Sequence, residues 1–311
     1  MVNIRAELKR LWAESPVLMV TAILMLGTFL GSLAGIFLDP TIITGMPAWL
    51  KPAKFGISTA IYCVTLAWLY RYIDIWRPRL RAVAWIVAVV FVVEIAIIDV
   101  QAARGVESHF NNTSALNRAL FGIMGFGILI QWLSSMVVLG ALFKQKFENP
   151  AWGWALRLGM LTTIVGSGMG AMMVTPTHDQ LQAMRAKQSV ADIGGHTVGA
   201  PDGGPGLPGV GWSTEHGDLR IPHFLGMHGV QLIPLFAWLF ARRRASTVVI
   251  GAASYIALVA ILTWQALKGE SIVAPDGVTL AVLASWIAAT AVAILAASRI
   301  GGSRTLSYDA R

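Results

Sequence analysis

Eight long apolar segments constrain what this chain can fold into more than any other feature of its sequence. A helix needs about 20 mainly apolar residues to cross the hydrocarbon core of a bilayer. Segments of this kind cover 16–38, 55–73, 82–103, 118–143, 152–175, 222–241, 246–267 and 278–298. The sequence therefore predicts an all-α, polytopic integral membrane helical bundle with about eight transmembrane helices in a single transmembrane domain.

The composition agrees with this prediction and excludes several other classes of protein. Only 13% of the residues are charged and 56% are apolar, whereas about 25% are charged in a typical soluble domain. The chain has one cysteine, Cys63, which excludes a disulfide scaffold. These values also argue against a disordered chain and a cytosolic enzyme. The expected partners are the lipid bilayer and a small lipid-soluble or periplasmic substrate.

The net charge of +8 raises the question of a nucleic-acid partner. The basic residues occur in short groups between apolar segments, without a basic stripe or interleaved aromatic residues, so no nucleic-acid partner is expected. Such groups instead set membrane topology. With the N-terminus in the cytoplasm, 16 of the 24 Lys and Arg residues lie on the inner side. The positive-inside rule then predicts both termini in the cytoplasm and a multi-pass protein of the plasma (inner) membrane.

Two of the inner basic groups lie toward the C-terminal end of the chain. One consists of Arg242, Arg243 and Arg244, and the other of Arg299, Arg304 and Arg311. At the other end, Arg5, Lys9 and Arg10 precede an apolar segment and Ser32-Leu33-Ala34, an order that also resembles a cleaved signal peptide. The apolar segment is longer than a usual signal core, which favours an uncleaved helix. Cleavage would leave seven spans with the same orientation.

Small residues at helical spacing indicate close helix packing. Gly27, Gly31 and Gly35 form two overlapping GxxxG steps, and Gly166 with Gly170 forms another. Such steps let helix backbones approach closely in lipid, and these faces could also support a homo-oligomer.

One connection, 177–221, is much longer than the others and is rich in glycine and proline. On the predicted topology it lies outside the cytoplasm. A long loop of this kind is usually functional or disordered, and both a lid over the outer mouth and a flexible tether are open alternatives.

All six histidines fall on the outer side of the predicted topology or in the outer half of a span. We single out His109, His178, His223 and His228 as candidate metal ligands. Residues five apart on a helix are about 140° apart, so His223 and His228 are poorly placed to chelate one metal together unless the segment starts non-helically or the helix breaks at Gly226 or Gly229.

The third span carries two carboxylates, Glu94 and Asp99, at about 13 Å and 6 Å below its outer end. Ionisable groups at such depth are costly unless they are paired, hydrated or protonated, so they are candidate catalytic residues. The structural alternative is a pair with Lys54, Arg104 or Arg118.

These residues support three hypotheses. The first is a metal- or haem-binding membrane protein, acting as an oxidoreductase at a site near the extracytoplasmic surface. Imidazoles with carboxylates suit Zn, Fe or Cu. Two histidines could also be axial haem ligands, with Arg104 or Lys54 facing the propionates and Gln231 orienting a ligand.

The second hypothesis is a proton-coupled transporter in which Glu94 is the protonatable group. It relies on glycine and proline in the sixth span, at Gly226, Gly229 and Pro234, because interrupted helices form transport sites. The third hypothesis is a non-catalytic assembly or scaffold protein. The sequence contains no phosphate loop, dinucleotide fingerprint, serine-nucleophile elbow or cysteine-pair motif.

Overall fold

A computed structural model describes residues 3–241 and 244–305, with side chains described as far as Ala297. The predicted topology signals Arg242, Arg243 and Arg311, and the side chains of Arg299 and Arg304, lie outside the described residues. The described chain forms twelve helices and four two-residue strands. In chain order these are α1 (Ile4–Glu14), α2 (Pro16–Leu38), β1 (Ile42–Ile43), β2 (Met46–Pro47), α3 (Leu50–Tyr70), α4 (Arg77–Ala103), α5 (Ala115–Lys144), α6 (Pro150–Gly168), α7 (Gly170–Met173), α8 (His178–Arg185), β3 (Thr197–Val198), β4 (Gly217–Asp218), α9 (Arg220–Met227), α10 (Gly229–Phe240), α11 (Ala245–Leu267) and α12 (Gly277–Thr305).

Six helical stretches among the described residues are long and apolar enough to cross a membrane. They are Pro16–Leu38, Arg77–Ala103, Ala115–Lys144, Pro150–Arg185, Ala245–Leu267 and Gly277–Ala297. The short helices α9 and α10 would together make a seventh, but the pair is bent by 53°. The protein is therefore all-α with six or seven helices able to span a bilayer, and the membrane class predicted from the sequence is confirmed.

The remaining predicted span, 55–73, corresponds to α3, which is helical but is not among these six or seven. Its first five residues include Lys51, Pro52 and Lys54, and these residues lower the apolar content of the helix. The structure therefore supports six or seven spans, and an eighth span at α3 remains a prediction.

The helix ends follow local sequence signals. Asn149 accepts hydrogen bonds from the backbone N–H groups of Ala151 and Trp152 at the start of α6, as expected of an N-cap residue. Pro16 occupies the first turn of α2, where its missing N–H costs nothing. The segment 177–221 also contains regular structure, because Thr177 and Gln180 form a capping box that starts α8.

The described chain divides into two compact units. Unit 1 contains the residues up to Ala141 together with Ala171–His196 and Ala200–Gly211, and unit 2 contains Leu142–Gly170, Thr197–Gly199 and the residues from Trp212 onward. In unit 1, α2, α3 and α4 pack together. The core there is formed by Met25, Ala60, Ile95, Ile97, Ile98 and Met124, with Phe55, Leu120 and Phe121 packed against it.

In unit 2, α6 packs against α9, α10 and α11 around an alanine-rich apolar core. Its buried members are Ala151, Ala155, Ile233, Ala237, Ala241, Val248 and Ala252. Strands β3 and β4 pair antiparallel, with Thr197 opposite Asp218. The carboxylate of Asp218 is buried and pairs with the Arg220 guanidinium at 2.5 Å, so it fixes the start of α9.

Candidate functional site

The predicted site residues fall in both units. Unit 1 holds Lys54, Glu94, Asp99, Arg104, His109 and His178, and unit 2 holds His223, His228 and Gln231. Among residues 3–241 and 244–305, no group of three or more His, Cys, Asp or Glu side chains is arranged to hold a metal ion. A metal centre shared by the four predicted histidine ligands therefore remains a prediction.

In unit 1, the structure brings two of the predicted residues together. The Nε2 atom of His109 lies 3.5 Å from Oε1 of Glu94, and the Nδ1 atom of His109 lies 3.0 Å from the hydroxyl of Ser108. Glu94 is 4% exposed, and its Oε2 atom has no hydrogen-bond partner within the described part of the chain. A buried carboxyl group with one unused oxygen thus faces an imidazole.

The surroundings of His109 are apolar. The rings of Phe55, Phe110 and Phe121 have centroids 5.7, 6.2 and 5.8 Å from that of the imidazole. Burial among these rings, followed by the positive charge of Lys51, holds the pKa of His109 well below its usual value. His109 is therefore neutral at pH 7 and can act as a hydrogen-bond donor and acceptor, or take up a proton when one is supplied.

A buried polar network fixes the segment that carries His109. Gln101 is fully buried and donates from Nε2 to the carbonyl oxygen of Glu107 at 3.2 Å and to Oδ1 of Asn117 at 3.1 Å. The guanidinium of Arg104 donates to the side chains of both Gln101 and Asn117. Asn111 donates to the Glu107 carbonyl oxygen at 2.9 Å. The predicted haem-propionate role of Arg104 therefore competes with a structural role in this network.

Residues 190–193 of the long 177–221 connection complete the same region. The backbone N–H of Asn112 donates to the Ala191 carbonyl oxygen at 2.7 Å, and that of Ile193 donates to the Phe110 carbonyl oxygen at 2.9 Å. Asp192 lies between Ala191 and Ile193 in the chain. Burial, followed by the negative charge of the neighbouring Glu107 carboxylate, raises the pKa of Asp192 to about 6.

The other predicted residues of unit 1 have different surroundings. Lys54 donates from Nζ to the carbonyl oxygen of Val210 at 2.9 Å. His178 is exposed at the start of α8, with Nε2 2.7 Å from Nε2 of Gln182. Asp99 is partly buried, and its Oδ1 atom has no hydrogen-bond partner among the described residues. Of these residues, Glu94 and His109 are the two that the structure brings together.

In unit 2, the predicted interruption of the sixth apolar segment falls at His228, between α9 and α10. The Nδ1 atom of His223 lies 2.7 Å from the carbonyl oxygen of Gly166. Because a carbonyl oxygen only accepts, Nδ1 carries the proton, and the lone pair of the neutral ring is on Nε2. The ring of His228 instead packs edge-on against Phe224, with centroids 4.4 Å apart, so the two histidines have different partners.

The break between α9 and α10 is stabilised by two hydroxyl groups. Thr163 donates to the carbonyl oxygen of Met227 at 3.0 Å and accepts from the backbone N–H of Val230 at 2.9 Å. Tyr255 donates to the carbonyl oxygen of Leu225 at 2.5 Å. The two bonds of Thr163 satisfy backbone groups that a broken helix would otherwise leave unpaired in an apolar environment. The bond from Tyr255 is a second one to the Leu225 carbonyl oxygen, which also accepts from the backbone N–H of His228 at 3.1 Å.

Sequence reasoning missed several of these residues. Lys51 and Phe55 belong to a stretch whose composition looks specific, Trp49–Phe55, but nothing in the sequence links it to His109. Thr163 resembles an ordinary helix hydroxyl in the sequence. No local pattern identified Asp192, because its partner Glu107 lies 85 positions earlier in the chain.

No family model, curated protein or solved structure matches this chain.

Proposed function

We propose that this chain is a proton-coupled membrane transporter in which Glu94 and His109 bind and release the coupling proton. The observation that carries the proposal is the approach of His109 Nε2 to within 3.5 Å of Glu94 Oε1. A carboxyl group and an imidazole at this separation exchange a proton after a small movement. The surrounding phenylalanine rings limit competing exchange with bulk water.

The bent pair α9 and α10 supports the same function. Transporters commonly form their binding sites at interrupted spans, where backbone groups become available to a solute. Here the hydroxyls of Thr163 and Tyr255 hydrogen-bond the backbone at the interruption, so specific side chains of unit 2 stabilise the bend. While these contacts persist, the Met227 carbonyl and the Val230 N–H at the interruption keep a hydrogen-bond partner.

The orientation that we propose follows from the basic residues. α3 would be the eighth span, both termini would be cytoplasmic, and the protein would lie in the inner membrane with Glu94 and His109 toward the extracytoplasmic side. Cysteine-accessibility labelling at Ser114 and Gln145 tests this arrangement, because the two positions would be labelled from opposite sides. The open face of Gly27 and Gly31, where an added Cβ meets nothing within 4 Å, is the face we propose for a homo-oligomer.

Transport is tested in proteoliposomes that contain a pH-sensitive dye. A panel of small solutes is added outside, and we expect at least one solute to change the internal pH with the wild-type protein. Glu94→Gln and His109→Gln should abolish that change, whereas Glu148→Gln, which alters an exposed carboxylate, should keep it. Coupled transport that survives Glu94→Gln would contradict the proposed role of Glu94.

A second candidate function, the metal- or haem-dependent oxidoreductase, has one specific observation in its favour. Metal-ligating histidines typically donate their other ring N–H to a carbonyl or carboxylate oxygen, and His223 donates in this way to Gly166. Elemental analysis and an absorption spectrum of the purified protein test it. A metal or a Soret band lost in His223→Ala would favour this function. If both the spectrum and the transport assay are negative, the scaffold hypothesis is favoured.

A further inference from the structure

We infer that α1 is an interfacial helix that binds the surface of an anionic bilayer, with Ile4, Leu8 and Trp12 in the lipid and Arg5 and Lys9 at the headgroups. This inference concerns a surface of unit 1 remote in sequence from Glu94 and does not depend on the proposed transport function.

The apolar side chains of α1 are divided between two neighbouring faces. Leu11 is buried against the protein, whereas Ile4, Leu8 and Trp12 are 71%, 45% and 38% exposed. These three residues are spaced four apart, so they form a single stripe along the helix. Water is an unfavourable environment for a stripe that includes tryptophan and two aliphatic residues, since nothing else in unit 1 covers it among the described residues.

Two ion pairs fix the direction of the helix. Oε2 of Glu7 lies 2.5 Å from Nη1 of Arg71, and Oε2 of Glu14 lies 2.6 Å from Nη1 of Arg77. Arg71 caps the end of α3 and Arg77 starts α4. Glu7 and Glu14 are about 10 Å apart along the axis of α1. The helix axis therefore runs across the ends of α3 and α4 rather than continuing the direction of either.

The position of α1 in the chain places it at the membrane boundary. It ends at Glu14, and the membrane-spanning helix α2 begins at Pro16, with the non-helical Ser15 between them. A helix fixed across the ends of spans at this point, with an exposed apolar stripe, has the geometry of an amphipathic helix lying in the bilayer interface.

The charges of α1 identify the kind of lipid. Glu7 and Glu14 pair with Arg71 and Arg77, and the exposed Arg10 also pairs with Glu7 at 2.7 Å. Arg5 and Lys9 are exposed cations on the other side of the stripe, about 80° further around the axis. Cations in this position bind anionic headgroups, and each contributes about 1 kcal/mol of attraction to an anionic surface.

The depth of α1 can be tested with the full-length protein in nanodiscs of phosphatidylcholine and phosphatidylglycerol. Nitroxide labels are placed at Leu8→Cys and, as a matched neighbour, Lys9→Cys, and their collisions with oxygen and with a water-soluble nickel complex are compared. We expect the label at position 8 to collide mainly with oxygen and the label at position 9 mainly with nickel. Mainly aqueous collisions at position 8, or protection from both reagents as a protein contact would give, would overturn the inference.

The lipid preference is tested by native mass spectrometry. We expect the double variant Arg5→Gln/Lys9→Gln to retain phosphatidylglycerol at least about fivefold less than wild type. Arg185→Gln/Lys187→Gln removes two exposed cations from another part of unit 1 and should retain it normally. Equal loss in the two double variants, or no loss in either, would overturn the assignment of an anionic-lipid site to α1.

Discussion

The backbones of Gly166 in α6 and Gly226 in α9 are in direct contact. A Cβ atom built on Gly166 would lie 2.3 Å from the carbonyl carbon of Gly226, and one built on Gly226 would lie 2.5 Å from the Cα atom of Gly166. The same Gly166 accepts the hydrogen bond from His223 Nδ1 through its carbonyl oxygen. The close approach of the two helices thus also determines which nitrogen of His223 carries the proton.

We predict that Gly166→Ala destabilises the protein by about 1–3 kcal/mol, the usual cost of forcing extra volume into a packed contact. The contact is between two backbones, so neither side can move a flexible side chain out of the way. Thermal unfolding in detergent measures the effect. Gly122→Ala, at a helical glycine where an added Cβ meets nothing within 4 Å, is the control and should be neutral or stabilising. Equal melting temperatures for the two variants would show that the helices separate at no cost.

The loss of one hydroxyl should weaken the break between α9 and α10. Thr163→Val keeps the shape of the side chain but leaves the Met227 carbonyl and the Val230 N–H without their partner. An unsatisfied buried polar group costs about 1–3 kcal/mol. Thr21→Val is the matched control, because the buried Thr21 hydroxyl donates to the Val17 carbonyl oxygen of its own helix, α2, at 2.8 Å. Hydrogen exchange at residues 227–230 should rise in the first variant only, and a rise in both would contradict this role of Thr163.

The apolar pattern predicted the helices well because it depends on each segment alone. The predicted span 16–38 coincides with α2, and 246–267 differs from α11 by one residue. The glycine spacing also identified Gly166 as a packing residue. Its partner Gly226 could not be predicted, because a GxxxG step specifies a surface that allows close approach and not the helix that approaches it.

The candidate site was predicted in its residue types but not in its pairing. Glu94 and Asp99 looked equivalent in the sequence, and the structure brings Glu94 to His109 because the chain turns back between α4 and α5 through the buried network of Gln101 and Asn117. That turn has no sequence motif of its own. The division of the four histidines between two units depends equally on long-range packing, which composition and spacing do not specify.

The network of Gln101 provides a third prediction. Gln101→Leu is similar in volume but removes the donors to Glu107 and Asn117 and the acceptor of Arg104. Two or more buried polar groups then lose a partner, at about 1–3 kcal/mol each. Hydrogen exchange at residues 104–114 should increase together with the loss of stability. Gln188→Leu, at an exposed position, should change neither. Unchanged exchange in Gln101→Leu would mean that the segment carrying His109 is held by other contacts.

The stability of the segment around residues 190–193 should depend on pH through Asp192. Its pKa is raised to about 6 by burial and by the carboxylate of Glu107, so the folded state binds a proton more readily than the unfolded chain does. This group therefore favours the folded state below its ordinary pKa of about 4, and that contribution is lost as the pH rises through about 6. Asp192→Asn should raise the melting temperature at pH 8 and lose that advantage at pH 4. If the difference in melting temperature between Asp192→Asn and wild type were the same at pH 4 and pH 8, the raised pKa of Asp192 would be contradicted.

A double-mutant cycle on Glu94 and His109 tests whether the two side chains act on each other. His109→Phe fits the surrounding phenylalanine rings but leaves the buried carboxyl group of Glu94 without its neighbour, and we expect it to lower the free energy of unfolding by about 1–3 kcal/mol. Glu94→Leu in the same background removes that orphaned group, so the double variant should regain much of the loss. The coupling energy should be at least about 1 kcal/mol, as found for residues in direct contact. Denaturant titration in detergent at pH 7 measures all four proteins, and additive effects would mean that the 3.5 Å approach carries no interaction on which proton exchange could depend.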